Sequence, residues 1–327
     1  MNERGPKDLL IALLPGLTPV ERISLLRVFD REEDFIVQSK RDIEEILKRE
    51  LKKFWNVDEI RAKAQSIETV CRARSIERVS WRDAAYPPLL REMYDPPSVI
   101  FYRGQLPNPE KSLLGMVGTR RPSPEASAQA YSIACGLGQA GVSVVSGLAL
   151  GIDAMSHRGN LSGGVPGYAV LGSGADEIYP STNRHLAKMI LDSGGALISE
   201  YPPGTRPYKG NFPARNRIIS ALSRGVLIVE APKKSGALIT AAFALEQGRD
   251  LWVASSGVRQ QGGTLYDKSG TEKLACDGAE IIYSARDILE KWDIDVADND
   301  DTAVVSSWDA SKETLVSSLA NYLEIEL

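Results

Sequence analysis

Cysteine and histidine are scarce in this 327-residue chain: three cysteines, Cys71, Cys135 and Cys276, and two histidines, His157 and His185. An odd, widely spaced set of thiols supports neither a disulfide framework nor a zinc knuckle, and it fits a reducing compartment. So few imidazoles leave little material for a general base. His157 reads as a packing or capping residue in the helical stretch "IDAMSHRG", and His185 as a surface position in "STNRHLAK". Long apolar runs are missing too. "GVLIVEA" and "GVSVVSGLALG" are too short or too interrupted to cross a bilayer. The N-terminal "IALLPGL" is cut by Pro15 before it could act as a secretory core. A cytoplasmic protein with no membrane partner is expected.

Cofactor fingerprints are equally absent, and neither a metal nor a cofactor is expected. "GMVGTRRP" lacks the third glycine of a dinucleotide turn, and Arg120-Arg121 stand where only an anion would be welcome. No G-x-x-x-x-G-K-[ST] occurs, which argues against P-loop hydrolysis. Ser146 precedes Gly147 in "VVSGLALG" without an evident partner base, so no catalytic residue is assigned.

A strong positive charge is lacking as well, the formal net charge being −4. Its distribution is uneven. Residues 1–110 carry 19 basic and 19 acidic side chains, residues 111–280 carry 17 and 13, and residues 281–327 carry 3 and 11. The centre is mildly basic and an acidic tail masks it. Local field rather than total charge steers a polyanion, so the composition permits a nucleic-acid partner.

What is present divides into four regions. Residues 1–75 carry apolar positions at helical spacing in "KDLLIALL", "ERISLLRVF" and "RDIEEILKREL". Pro15-Gly16 separates two such segments, with Thr18 a predicted N-cap and Pro19 at the first helical position. A small all-α module of helix–hairpin–helix or sterile-alpha-like type is expected. Residues 76–110, rich in proline and aromatics, read as a connector packed on the next region. Residues 111–291 alternate short β-branched runs with amphipathic stretches, which predicts an α/β domain with a doubly wound, mostly parallel, Rossmann-like sheet. The expected strands are "LLGMVG", "VSVVSG", "GYAVLG", "GALISE", "GVLIVEA", "DLWVA" and "EIIY". Ser123-Pro124 starts one helix, and Gly141, Gly194 and Gly248 stand where C′ glycines end others. Residues 292–327 read as an acidic linker followed by one short helix bearing Leu315, Leu319 and Leu323.

Ligands of an open α/β sheet bind beyond the carboxyl ends of its strands. Five loops predicted there are glycine-rich: "GTRRPSP", "SGLALGID", "GSGADEIYP", "EYPPGTRPYKGNFPARN" and "EAPKKSGAL". Glycine lets a ligand approach the backbone, and helix N-termini add N–H donors, so the edge suits anions. In "YKGNFPARNRII", Lys209, Arg215 and Arg217 surround Phe212, while Gly210 and Pro213 are read as breaking any regular element. That pattern fits a base stacked on the ring beside neutralised phosphates. It competes with an ordinary surface loop whose Phe tucks inward. Glu200 and Glu230, ending two strands at the ligand edge, are expected to orient Arg120, Lys209 or Arg215 through ion pairs in preference to binding a ribose or a base.

The blocks "VGTRRPSP", "GVSVVSGLALGIDAMSHRG", "AVLGSGADEIYPSTNRHL", "GALISEYPPGTRPYKGNFPARNRIISALSRGVLIVEA" and "SGALITAAFALEQGRDLWVASSG" resemble the DNA-processing protein A (DprA/Smf) family over roughly residues 80–285. The resemblance implies an extended Rossmann-like fold, single-stranded DNA binding, and loading of a RecA-type recombinase during DNA uptake or repair, without catalysis. It also implies a homodimer. The family's G-[ST]-R arginine falls on Arg120, and the lysine and phenylalanine of its K-G-x-F-P fall on Lys209 and Phe212. Gly118, Thr119, Gly147, Gly210 and Asn211 complete the implied DNA-binding set, and Arg215, Asn216 and Arg217 adjoin it. The likeness thins in "WVASSG", in the long "VRQQGGTLYDKSGTEKL" with Glu272 for a common Asn, and in the tail, where a winged-helix-like domain is usual. A carboxylate at Glu272 would repel a nearby phosphate, so that rim is expected to be reshaped or removed from the DNA path.

Two other classes compete. A nucleotide-binding or phosphoribohydrolase-like enzyme would share the glycine-edged sheet, but "APKKSGALITAAFALE" has no glutamate at the spacing of that enzyme class's "PGGxGTxxE". A scaffold whose basic edge receives an acidic protein is the third reading.

Overall fold

The structure, a computed structural model, describes residues 7–258 and 265–295. The expected tail helix with Leu315, Leu319 and Leu323, and part of the long 258–274 segment, lie outside the described residues.

Five helices open the chain: α1 (Lys7–Leu13), α2 (Pro19–Val28), α3 (Glu32–Ile36), α4 (Lys40–Leu47) and α5 (Val57–Ala73). Thr18 starts α2 as its sequence predicts, in a reciprocal cap. Thr18 Oγ1 accepts from the Glu21 N–H at 3.3 Å, and Glu21 Oε2 accepts from the Thr18 N–H at 2.7 Å. Gly16, at φ +76°, turns the chain between α1 and α2 in the left-handed region that glycine enters freely. Leu9, Leu10, Leu25, Leu26 and Ile43 form the centre of this layer.

Residues 76–110 do more than connect. They supply β1 (Glu77–Ser80), α6 (Pro88–Arg91) and β2 (Val99–Gly104). β1 runs antiparallel to β2, and β2 runs antiparallel to a later strand, with Phe101 opposite Ser199. The prolines flank these strands instead of interrupting them, so the apolar Val99–Tyr102 run is free to enter the sheet.

The rest alternates strand and helix: β3 (Leu113–Val117), α7 (Pro124–Gln139), β4 (Ser143–Ser146), α8 (Ile152–Ser162), β5 (Tyr168–Val170), α9 (Arg184–Asp192) and β6 (Ala196–Ser199). Then follow α10 (Asn211–Ala221), β7 (Gly225–Ile228), α11 (Gly236–Glu246), β8 (Asp250–Ala254), α12 (Ser269–Cys276), β9 (Glu280–Ile282) and α13 (Ala285–Lys291). All seven predicted strands are present. Ser123 caps α7, accepting from the Ala126 N–H at 3.1 Å, and Gly141, Gly194 and Gly248 take positive φ just past their helices.

Among the described residues the sheet has nine strands, in the order β1-β2-β6-β5-β4-β3-β7-β8-β9, with β3 to β9 parallel. This is a Rossmann-like α/β architecture with a helical N-terminal layer. Alternate side chains of β3 serve opposite faces. Leu114 and Met116 pack with α7 and α13, whereas Leu113 and Val117 join the core under α10 and α11. From β3 the chain winds one way to β6, then returns to lay β7 on the other side of β3. The loops after β3 and β7 therefore diverge, and the crevice between them is where such sheets take ligands. Among the described residues, no helix is long and apolar enough to cross a membrane.

Candidate nucleic-acid interface

At that crevice lies a cleft of about 680 Å³. The loop after β3 forms one lip. The Thr119 N–H donates to Glu230 O at 2.7 Å, and Thr119 O accepts from the Ile152 N–H at 3.2 Å, fixing the loop between the end of β7 and the start of α8. Gly118 permits this closeness, because a Cβ there would lie 2.6 Å from Ile152 Cγ1. The loop projects Arg120 and Arg121, both exposed, into the cleft.

The opposite lip comes from "YKGNFPARNRII". Here the sequence reading is corrected: Asn211–Ala221 is helix α10, not an irregular loop. Pro213 is the third residue of the helix, where an N–H has no intrahelical acceptor, so its missing donor costs nothing. The helix carries Phe212 to the cleft, and its ring is half-buried. One edge rests over Gly172, where an added Cβ would lie 2.8 Å from Phe212 Cδ1. Tyr179 packs beside it with ring centroids 5.5 Å apart. The Arg120 guanidinium stands 5.9 Å from the Phe212 ring centroid. Lys209, exposed, lines the same cleft from just before the helix. Gly210 folds against the Tyr208 ring, and Asn211 Nδ2 donates to Gly172 O at 3.1 Å, so both set the pose of the lip.

The two arginines of α10 part company. Residues two apart on a helix point to different sides. Arg215 lines the cleft, but it is buried and its Nη1 donates to Gly147 O at 2.9 Å and to Val170 O. Burial lowers its pKa to about 10, while the nearby Asp153 carboxylate favours its charge. Gly147 is needed there, since a Cβ would lie 2.6 Å from Arg215 Nη2. Burial pushes Asp153 up, against Arg215 and the N–H groups of Gly147 and Ala149. Arg217 does not line the cleft. It forks onto Glu200 and reaches Asp95, so its charge is spent inside the fold.

The carboxylates therefore differ from expectation. Glu200 pairs with Arg217 and not with Arg120, Lys209 or Arg215. Glu230 accepts from the Ser123 N–H at 2.9 Å and from Ser123 Oγ at 2.6 Å, anchoring the start of α7. Ser146 Oγ donates to Met116 O, and His157 is wholly buried. Burial and the Arg215 charge bring the His157 pKa down to about 3. Glu272 lies in α12 and does not line the cleft. Asn216 does, and its Nδ2 donates to Gly236 O at 3.1 Å, tying α10 to α11. Arg121, read with Arg120 as welcoming an anion, lines the cleft, whereas sequence reading missed Tyr179 and Thr240, which stand in or just after loops it had placed on the ligand edge.

Gathered at one crevice are a ring, three solvent-facing cations and glycine-permitted backbone approach, a set suited to a phosphate-bearing polymer. The family model for DNA recombination-mediator protein A matches residues 77–293. The chain belongs to the DNA recombination-mediator protein A family. A curated member, the DNA processing protein DprA of Bacillus subtilis (strain 168), is 37% identical over 248 residues, covering 75% of this chain and 79% of its own length. Protein Smf of Synechocystis sp. PCC 6803 is 44% identical over 211 residues, 63% of this chain and only about half (52%) of that relative's length. The X-ray structure of DprA from Streptococcus pneumoniae superposes with a TM-score of 0.69 at 30% identity, covering 90% of this chain and 99% of that one. DprA from Helicobacter pylori, whose structure describes a single-stranded DNA binding mode, gives a TM-score of 0.56 at 27% identity over 66% of this chain and 95% of that one.

Proposed function

We propose that the cleft binds single-stranded DNA and that the chain acts as a recombination mediator, delivering the strand to a RecA-type recombinase in DNA uptake or repair. The observation that carries this is the Arg120–Phe212 pairing at 5.9 Å, with Lys209 on the same cleft. Cations track the sugar-phosphate chain while a base stacks on the ring, which duplex DNA cannot offer without unpairing. The Helicobacter pylori relative's single-strand binding supports the ligand. The family description supports the mediator role.

The DNA-binding residues of this reading are Gly118, Thr119, Arg120, Gly147, Lys209, Gly210, Asn211, Phe212, Arg215 and Asn216. Arg120, Lys209, Phe212 and Asn216 meet the strand, and the others hold them. The role is non-catalytic, and a homodimer is the working assembly. Fluorescence anisotropy with labelled single strand, duplex and mononucleotide tests it. Single strand binding best, and weakening in Arg120→Ala and Lys209→Ala, is the expected result. A preference for the mononucleotide alone would favour the nucleotide-enzyme reading and end this one.

A further inference from the structure

Inward from its mouth the cleft runs to the start of α11, where it meets a group that the fold leaves unsatisfied. Thr240 lines the cleft, is fully buried, and its Oγ1 has no hydrogen-bond partner among the described residues. A helical threonine ordinarily donates to the carbonyl four residues back. Here that carbonyl, Gly236 O, accepts from Asn216 Nδ2 instead. Buried hydroxyls are almost always paired, and one left open is costly unless something else completes it.

What surrounds this hydroxyl is selective for anions. Ser235 caps α11, its Oγ accepting from the Ala237 N–H at 3.2 Å. The helix has eleven residues, enough to present a developed positive end. Gly236 keeps the approach open, since a Cβ there would meet nothing within 4 Å. Lys233 and Lys234 stand exposed in the loop just before the cap, and Ser269 Oγ holds that loop by accepting from the Lys233 N–H at 3.1 Å. This loop follows β7, opposite the Arg120 loop across the switch in strand order, so the two anion-attracting loops face one another.

We infer that the α11 end of the cleft is a phosphate subsite. The Gly236 N–H at the start of α11 and the Thr240 hydroxyl receive one phosphoryl group of a nucleotide whose sugar and base extend toward Phe212, and Lys234, exposed in the loop just before the cap, adds its charge. The inference rests on the nucleic-acid reading of the cleft and adds a second anchoring point to it. The phosphoryl group can come from a diester within a bound strand or from a free monoester. A cleft of about 680 Å³ has the capacity of a small-molecule pocket, so both sources fit.

The test uses the full chain, Thr240→Val and Lys234→Ala, with thymidine, thymidine monophosphate, and an oligo-dT strand as probes. Valine keeps the shape and puts a methyl group, which cannot hydrogen-bond, in place of the hydroxyl. Thr240→Val is expected to bind the phosphate-bearing probes about tenfold more weakly, the worth of one hydrogen bond to a charged group, and thymidine unchanged. Without ligand it should melt no lower than the parent, because the lost hydroxyl had no partner. Loss on both probes assigns a free or strand phosphate alike, and loss on the strand alone assigns the diester. Unchanged affinity for both, or a ligand-free melting temperature well below the parent's, overturns the subsite. If the parent binds no strand at all, the reading of the cleft fails. Thymidine monophosphate against thymidine then decides the subsite by itself.

Discussion

Arg217 closes a two-pronged bond with Glu200, Nη1 to Oε1 at 3.0 Å and Nη2 to Oε2 at 2.8 Å, while its Nε donates to Asp95 Oδ2 at 2.9 Å. Burial works against its charge, but the Glu200 and Asp95 carboxylates outweigh it and hold its pKa above the ordinary value. Arg217→Ala leaves the Glu200 carboxylate, whose side chain is only 16% exposed, without its partner and should cost about 3 kcal/mol in urea unfolding. Strand affinity per folded molecule should stay unchanged. A loss of affinity with unchanged stability would put Arg217 on the ligand instead.

The mouth of the cleft separates two energetic terms. Arg120→Ala removes one phosphate contact and should flatten the log–log salt dependence of strand binding by about 0.7. Phe212→Ala removes a stacking surface and should weaken binding by roughly 1–3 kcal/mol with the slope kept. A salt titration of parent and both variants checks the pair. Identical curves for all three would refute the site.

Gly172 sets the seat of the Phe212 ring. A methyl group at that position lies 2.8 Å from Cδ1 and 3.4 Å from Cα of Phe212, so the ring must tilt or rise. Gly172→Ala should weaken strand binding in the direction of Phe212→Ala but by less, measured by anisotropy. Combining Gly172→Ala with Phe212→Ala should add little, since the two act through one ring.

His157 makes folding sensitive to acid. It is neutral in the fold, with its pKa brought from 6.5 to about 3 by burial and by the Arg215 charge. Between those values the unfolded chain binds a proton that the folded chain refuses. The contribution is intact above about pH 6.5 and is lost as pH falls toward 3, at up to about 1.4 kcal/mol per unit. Replacing His157 with leucine should shallow the decline in stability between pH 6.5 and 5. Equal slopes for the two proteins in urea unfolding would show that the imidazole does not contribute.

The parallel strands were plain in the sequence because a strand buried on both faces is a short unbroken apolar run, as in "GVLIVEA". β1 and β2 were not, since their prolines masked two short antiparallel strands. α10 was hidden by Gly210 and Pro213, although a proline in a helix's first turn breaks nothing. With the helix unseen, Arg215 and Arg217 looked alike, and only helical geometry separates them. The partners of Glu200 and Glu230 were illegible for another reason. Glu230 meets Ser123, 107 residues away, and no local spacing announces such a pair.

Ala175 sits in the loop after β5, yet it is fully buried in the same core as Leu9, Leu25 and Phe101. The opening helices are thus no detachable appendage: they roof one flank of the sheet. A fragment trimmed to begin at residue 76 would bare Val99 and Phe101 to water and stick to its neighbours. Any shorter cousin built without that roof must repaint the flank with hydrophilic side chains before it can stay dispersed.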